Sequence, residues 1–209
     1  RVLFRSDMNS SVRSTARTLG AAVRTLVVAT VVLGVGYPLV ITGIGQIAFP
    51  HQANGSVVRT TSGTVVGSAL LAQGFTDAQG QPLPRYFQPR PSASGWDPMR
   101  SGGSNLGPEN PRLVADIGAR QAEVARFNGV AESAVPPDAV TASGSGLDPD
   151  ISPASAQMQI ARVARARGMD EAEVGRIVAE HTSGRLLGFL GEPTVNVLEL
   201  NLALDQRQG

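Results

Sequence analysis

The chain has 209 residues, with 18 basic residues against 17 acids, two histidines, no cysteine and 4% aromatics. A formal charge of +1 offers no basic stripe for nucleic acid, and the lack of cysteine excludes a disulfide framework and a thiolate zinc site. All 18 basic residues are arginine, so a phosphate-binding loop with its lysine, a Schiff-base mechanism and an Asp-Lys-Thr phosphorylation motif are excluded from this chain.

Arg1 to Asp7 (RVLFRSD) precede Met8, which makes a natural start. RVLFRS can be encoded by the end of a common sequencing adapter, so residues 1–7 are expected to be a read-through artefact and are set aside from fold reasoning. Residues 1–24 as a whole are expected to form a cytoplasmic N-terminal segment. From Thr25 to Pro50 there is no charge, and Val, Leu, Ile and Gly dominate. As a helix this stretch would be roughly 39 Å long, enough for a hydrocarbon core of about 30 Å. Arg13, Arg17 and Arg24 precede it and the next arginine is Arg59, so the positive-inside rule puts the N-terminus in the cytoplasm and residues 51–209 outside it. A cleaved signal peptide with its core at Leu26 to Gly36 is the alternative. The missing A-x-A site and the continued apolar run favour an anchor over it. Pro38 should kink the span, and Gly34, Gly36, Gly43 and Gly45 leave flat faces for a partner helix.

Beyond residue 50 there are 13 arginines and 16 acids, a charge of −3, and the pattern is that of a single α+β domain. Ser56 to Arg59 and Thr64 to Ala72 read as a hairpin turning at Thr61-Ser62-Gly63. Gly74 to Leu106 is broken by five prolines and is expected to be irregular. Asn110-Pro111 and Ser152-Pro153 are cap-plus-proline helix starts, with stops at Asn128-Gly129 and Gly168. Asp170 with Glu173 resembles a capping box for a helix to about Thr182. The tail Val195 to Leu204 alternates and then slips at Val197-Leu198, which reads as a bulged strand or a strand passing into a helical turn.

Several groups invite a chemical reading. Asp148 and Asp150 would suit a cation, although a turn beside the Ser152 cap accounts for them better. Ser143-Gly144-Ser145-Gly146 resembles a nucleophile elbow but lacks its flanking glycines. With His181 and Asp148 it would assemble a serine-hydrolase triad only weakly. Ser101, Gly102, Gly103, Ser104 and Asn105 form a glycine loop able either to cradle an anion or to pack under the domain. Arg162, Arg165 and Arg167 suit the end of their helix dipole, and Trp96 lies among arginines and aromatics of the kind found at interfaces. No metal site is expected.

The stretches GSALLAQGF (67–75), YFQPRPSA (86–93), SGGSNLGPENP (101–111), VTASGSGLDPDISPASA (140–156) and LGFLGEPTVNVLELNLALD (187–205) closely resemble the C subunit of the Kdp potassium-transporting ATPase. With the apolar span they cover most of the chain from about Arg24 to Asp205, in the family's order. The resemblance implies a non-catalytic, single-pass subunit of the bacterial inner membrane. Its expected partners are the lipid bilayer, a channel-like potassium-translocating subunit, a phosphorylated P-type ATPase subunit and a very small membrane peptide. It further implies an assembly factor and catalytic chaperone that raises the pump subunit's affinity for ATP. No cofactor would be bound stably: ATP would act through the pump, and potassium would be the transported ion. A free-standing membrane-anchored binding or sensor module is the alternative from another class.

Overall fold

The computed structural model describes residues 4–208; Arg1 to Leu3, part of the stretch expected to be artefactual, lie outside them. The chain divides into two compact units, residues 1–54 and 55–209.

The first unit is helical. Helix α1 (Phe4–Ala29) passes through a π-helical segment, Thr30–Gly36, into α2 (Tyr37–Ala48), and the short α3 (Pro50–Ala53) follows. Among the described residues one helix, Val12–Ala48, is long and apolar enough to cross a membrane, with a mean hydropathy of 2.1. None of its apolar side chains is covered: Leu26, Leu33 and Leu39 are all about two-thirds exposed. The wide turn has a local cause. Pro38 has no N–H for the carbonyl four residues back, and its ring crowds that carbonyl. The turn before it opens, so that the Tyr37 amide reaches the Val32 carbonyl five residues back, as in π-bulges generally. The expected disturbance at Pro38 is therefore taken up as a stretch of π-helix.

The second unit is the α+β domain. Strands β1 (Val57–Arg59) and β2 (Val65–Ser68) form an antiparallel hairpin with a bulge between Val58 and Arg59. A second sheet has the order β3-β5-β4, from β3 (Asp150–Ile151), β4 (Thr182–Ser183) and β5 (Thr194–Asn196). Four helices complete it: α4 (Pro111–Asn128), α5 (Pro153–Arg167), α6 (Glu171–Glu180) and α7 (Val197–Gln208). The N-terminal caps expected from the sequence are formed. Asn110 accepts from the Arg112 amide, Ser152 from Ser155 and Asp170 from Ala172, each removing one of the unpaired donors of a helix start.

The core lies between α5, α6, α7 and the second sheet. Val163, Val174, Ile177, Val195, Leu200 and Leu204 are at most 1% exposed. The slip in alternation at Val197-Leu198 is the point where β5 becomes α7. The Asn196 side chain accepts from the Glu199 amide at 3.1 Å, a helix cap that ends the strand. The tail is thus a short strand followed by three turns of helix.

Candidate functional site

The long irregular segment is held by buried polar side chains from helices. Arg162 of α5 is the chief clamp. Its guanidinium donates to Asn128 Oδ1 (2.9 Å), Gln159 Oε1 (2.7 Å), the Tyr86 carbonyl (2.9 Å) and the Pro84 carbonyl. It also lies 4.4 Å from the centre of the Phe127 ring. No carboxylate pairs with it among these contacts, and burial pulls its pKa down to about 10. Arg167, whose side chain is 0% exposed, donates to the Arg85 carbonyl and to Asp205 Oδ1. Asn201 of α7 brackets Phe87, accepting from its amide at 2.8 Å and donating to its carbonyl at 2.9 Å. Gln159 does the same for Gln88, at 2.8 and 3.2 Å. Of the three arginines near the end of α5, Arg162 and Arg167 are structural through these carbonyl contacts more than through the helix dipole, whereas Arg165 is exposed.

This clamping delivers residues 89–96 to the two loops singled out in the sequence, and the three interlock. The Ser143 amide donates to the Pro91 carbonyl at 3.0 Å, and the Gly102 amide to the Ser145 carbonyl at 2.7 Å. Ser101 Oγ donates to the Ser145 carbonyl, and Ser92 Oγ to the Gly146 carbonyl. Two glycines are required by this packing. A Cβ on Gly103 would stand 2.9 Å from the Gly144 carbonyl oxygen. At Gly146, which has a φ of +70°, a Cβ would meet Ser94 Oγ at 2.6 Å and the Gly102 oxygen at 2.7 Å. Of the 101–105 candidates, Ser101, Gly102 and Gly103 join the junction. Ser104 and Asn105 lie beyond these contacts, Asn105 with φ +52°.

The serines are spent within this junction. Ser143, 3% exposed, has its hydroxyl 3.1 Å from Ser145 Oγ and accepts from the Asp148 amide at 3.4 Å. Ser145 Oγ accepts from the Leu147 amide. The His181 ring sits 2.9 Å from the Ile177 carbonyl of its own helix. These partners do not make a Ser/His/Asp relay. Asp148 pairs with Arg90 at 2.9 Å and accepts from the Asp150 amide, so its roles are ion pair and turn. Asp150 lies in β3 opposite Asn196. Burial first, and the Asp148 charge second, hold its carboxyl above the ordinary range. Trp96, at φ +57°, donates its indole N–H to the Arg90 carbonyl at 3.1 Å.

Beside the junction is a cleft of about 650 Å³ between residues 76–96, α4 and the start of α5. Trp96, Phe127 and Met158 line it, with Pro82, Pro89 and Pro91. The polar clamps Gln159 and Asn201 escaped the sequence reading. Their signal was a polar residue on an otherwise apolar helix face, as Asn201 is between Leu200 and Leu204. Among the described residues no cluster of His, Asp or Glu is arranged to hold a metal. In the first unit, a Cβ at Gly43 would meet nothing within 4 Å, and those at Gly34 and Gly36 would make ordinary contacts with their own helix. Nothing within the helix itself demands glycine there.

Comparison with known proteins agrees with the motifs. The family model described as KdpC, K+-transporting ATPase, c chain, matches residues 19–206. Three relatives bear the name potassium-transporting ATPase KdpC subunit. That of Sorangium cellulosum is 57% identical over 183 residues, 86% of this chain and 93% of its own. That of Kineococcus radiotolerans is 55% identical, covering 86% and 88%, and that of Rhodospirillum rubrum 51%, covering 91% and 96%. With interlocking loops built from the motif residues and a family match across nearly the whole chain, this protein belongs to the KdpC family of potassium-transporting ATPase subunits.

Proposed function

We propose that the chain is an accessory subunit of a high-affinity, ATP-driven potassium uptake complex, stabilising the assembly and raising the ATP affinity of its P-type ATPase subunit. The observation that carries this reading is the use made of the motif residues. Ser101, Gly102, Ser143, Ser145 and Gly146 hydrogen-bond to one another and to residues 91–94, and Gly103 packs too closely against Gly144 to admit a side chain, which favours a scaffold over a reaction centre. The relatives' names supply the complex. Its other members would be a channel-like subunit, the pump subunit and a very small membrane peptide. The exposed apolar surface of Val12–Ala48 suits a single membrane pass in lipid or against partner helices.

Arg13, Arg17 and Arg24 favour a cytoplasmic N-terminus, with the α+β domain outside. ATP would then be reached only indirectly, through assembly or through the π-helical segment before Pro38. A domain charge of −3 would concentrate cations only weakly, over about a Debye length of 8 Å.

The test is potassium-stimulated ATP hydrolysis by the co-expressed complex, purified through a tag on the pump subunit, with and without this chain. Loss of ATP affinity while the other subunits still co-purify is the expected result, and disassembly would restrict the role to scaffolding. Unchanged activity, with the chain failing to co-purify, would overturn the proposal.

A further inference from the structure

Residues 184–193 join β4 to β5, and their tip carries Leu186, Leu187, Phe189 and Leu190, which are 70%, 76%, 70% and 47% exposed. Four large apolar side chains within five positions form a patch that solvation alone does not explain. The loop is built, not slack. The Leu186 and Leu190 amides each donate to the other's carbonyl at 2.9 Å, and the Gly188 amide donates to the Arg185 carbonyl at 3.0 Å. Arg185 and Glu192 close the base with an ion pair at 2.6 Å. Leu187 sits at φ +54°, a left-handed conformation that leucine rarely adopts. The Leu186, Gly188, Phe189 and Leu190 amides all donate to carbonyls within the loop, so burial of the tip in a dry environment would not strand these donors.

We infer that this knob is an anchor that seats in an uncharged apolar pocket on a partner subunit of the same membrane complex. The inference rests on the subunit role proposed above. Three observations select that occupant. Arg185, the one cation of residues 184–193, is paired with Glu192, and the domain carries 13 arginines against 16 acids, so an anionic bilayer surface would not attract it. Four side chains offer only a few hundred Å², short of the roughly 1,200 Å² of a stable free-standing interface, which argues against a second copy. A partner subunit already held beside this one by the other contacts of the proposed complex needs less, because that tethering, which a second copy would lack, raises the effective concentration and one apolar hot spot inside a polar rim then suffices.

The chain has no cysteine, so Phe189→Cys creates one labelling site at an exposed position. The labelled full chain is co-expressed or reconstituted with the other subunits and purified through the pump. A polarity-sensitive fluorophore there should emit further to the blue in the complex than on the chain alone in detergent, and a photocrosslinker should join it to one partner subunit. Phe189→Asp should reduce retention of the chain through washing by roughly tenfold, with an unchanged thermal melt showing that it still folds. The inference is overturned by a probe that stays in water within an intact complex, by a blue shift seen only in partner-free anionic vesicles, or by an adduct with a second copy. Retention of the native chain is read in parallel. If it is retained while the probe stays wet, this inference alone fails; if it is not retained, the subunit reading fails and this one with it.

Discussion

Replacing Arg162 with alanine should destabilise the α+β domain by about 3–5 kcal/mol. The guanidinium makes four hydrogen bonds, to two side chains and two backbone carbonyls, each worth about 1.5–3 kcal/mol when the donor is charged. Against that gross gain stands the burial of a cation without a carboxylate. Its pKa, drawn down to about 10, corresponds to a cost of about 3 kcal/mol. Alanine would recover that cost but leave four acceptors without their donor, and water entering the vacated space would satisfy some of them. The remainder is the few kcal/mol predicted, equivalent to about 10 °C in the melting temperature of a domain this size. The assay is thermal unfolding of the full chain in detergent, followed by the fluorescence of Trp96, the sole tryptophan. Arg165→Ala, on the same helix but exposed, is the control and should change stability by less than about 0.5 kcal/mol. If the Arg162 variant melts within about 2 °C of that control, the clamping argument is wrong.

The loop junction makes a sharper steric prediction. Gly103→Ala and Gly146→Ala should each cost at least about 2 kcal/mol, whereas Gly144→Ala, whose Cβ would meet nothing within 4 Å, should cost less; equal melting of all three would refute the packing. For Asp150, a carboxyl held above its ordinary range in the fold penalises stability above the folded pKa, and the penalty disappears as pH falls below the ordinary carboxylate value. Asp150→Asn should therefore melt at the same or a higher temperature than the native chain at pH 7, with that advantage gone by about pH 3. A native chain favoured at pH 7 and losing ground on acidification would reverse the sign. Pro38→Ala should restore an amide donor to the Gly34 carbonyl and convert Thr30–Gly36 to α-helix, read as a protected amide at residue 38 by hydrogen exchange in micelles. An unprotected amide there would show that the π segment has another cause.

What could be read from the sequence is what depends on neighbours along the chain. A charge-free run of membrane length needs only composition, and the helix Val12–Ala48 takes in all of the Thr25 to Pro50 run except Phe49 and Pro50. Helix starts depend on a cap two or three residues away, and Asn110, Ser152 and Asp170 are all in place. The irregular character of Gly74 to Leu106 follows from proline geometry, and only an isolated bridge between Thr76 and Pro82 interrupts it. The motifs also carried the family.

The tertiary structure decided which polar groups meet across long separations in sequence. Arg162 reaches Tyr86 across 76 positions and Asn201 reaches Phe87 across 114, and no local period encodes such pairs. The same holds for the junction of residues 91–94, 101–103 and 143–146. Each loop by itself resembled an anion cradle or a nucleophile elbow, because exposed amides and hydroxyls look alike until their partners are known. Folding supplied those partners from one loop to the next, since buried hydrogen-bonding groups left without any would cost more than the fold could offset. In the tail, by contrast, the change from β5 to α7 at Asn196 had been visible as a slipped alternation. Only the packing of Val197, Leu200 and Leu204 into the core selected helix over bulged strand, because that spacing buries one helical face and a strand would have split it between two.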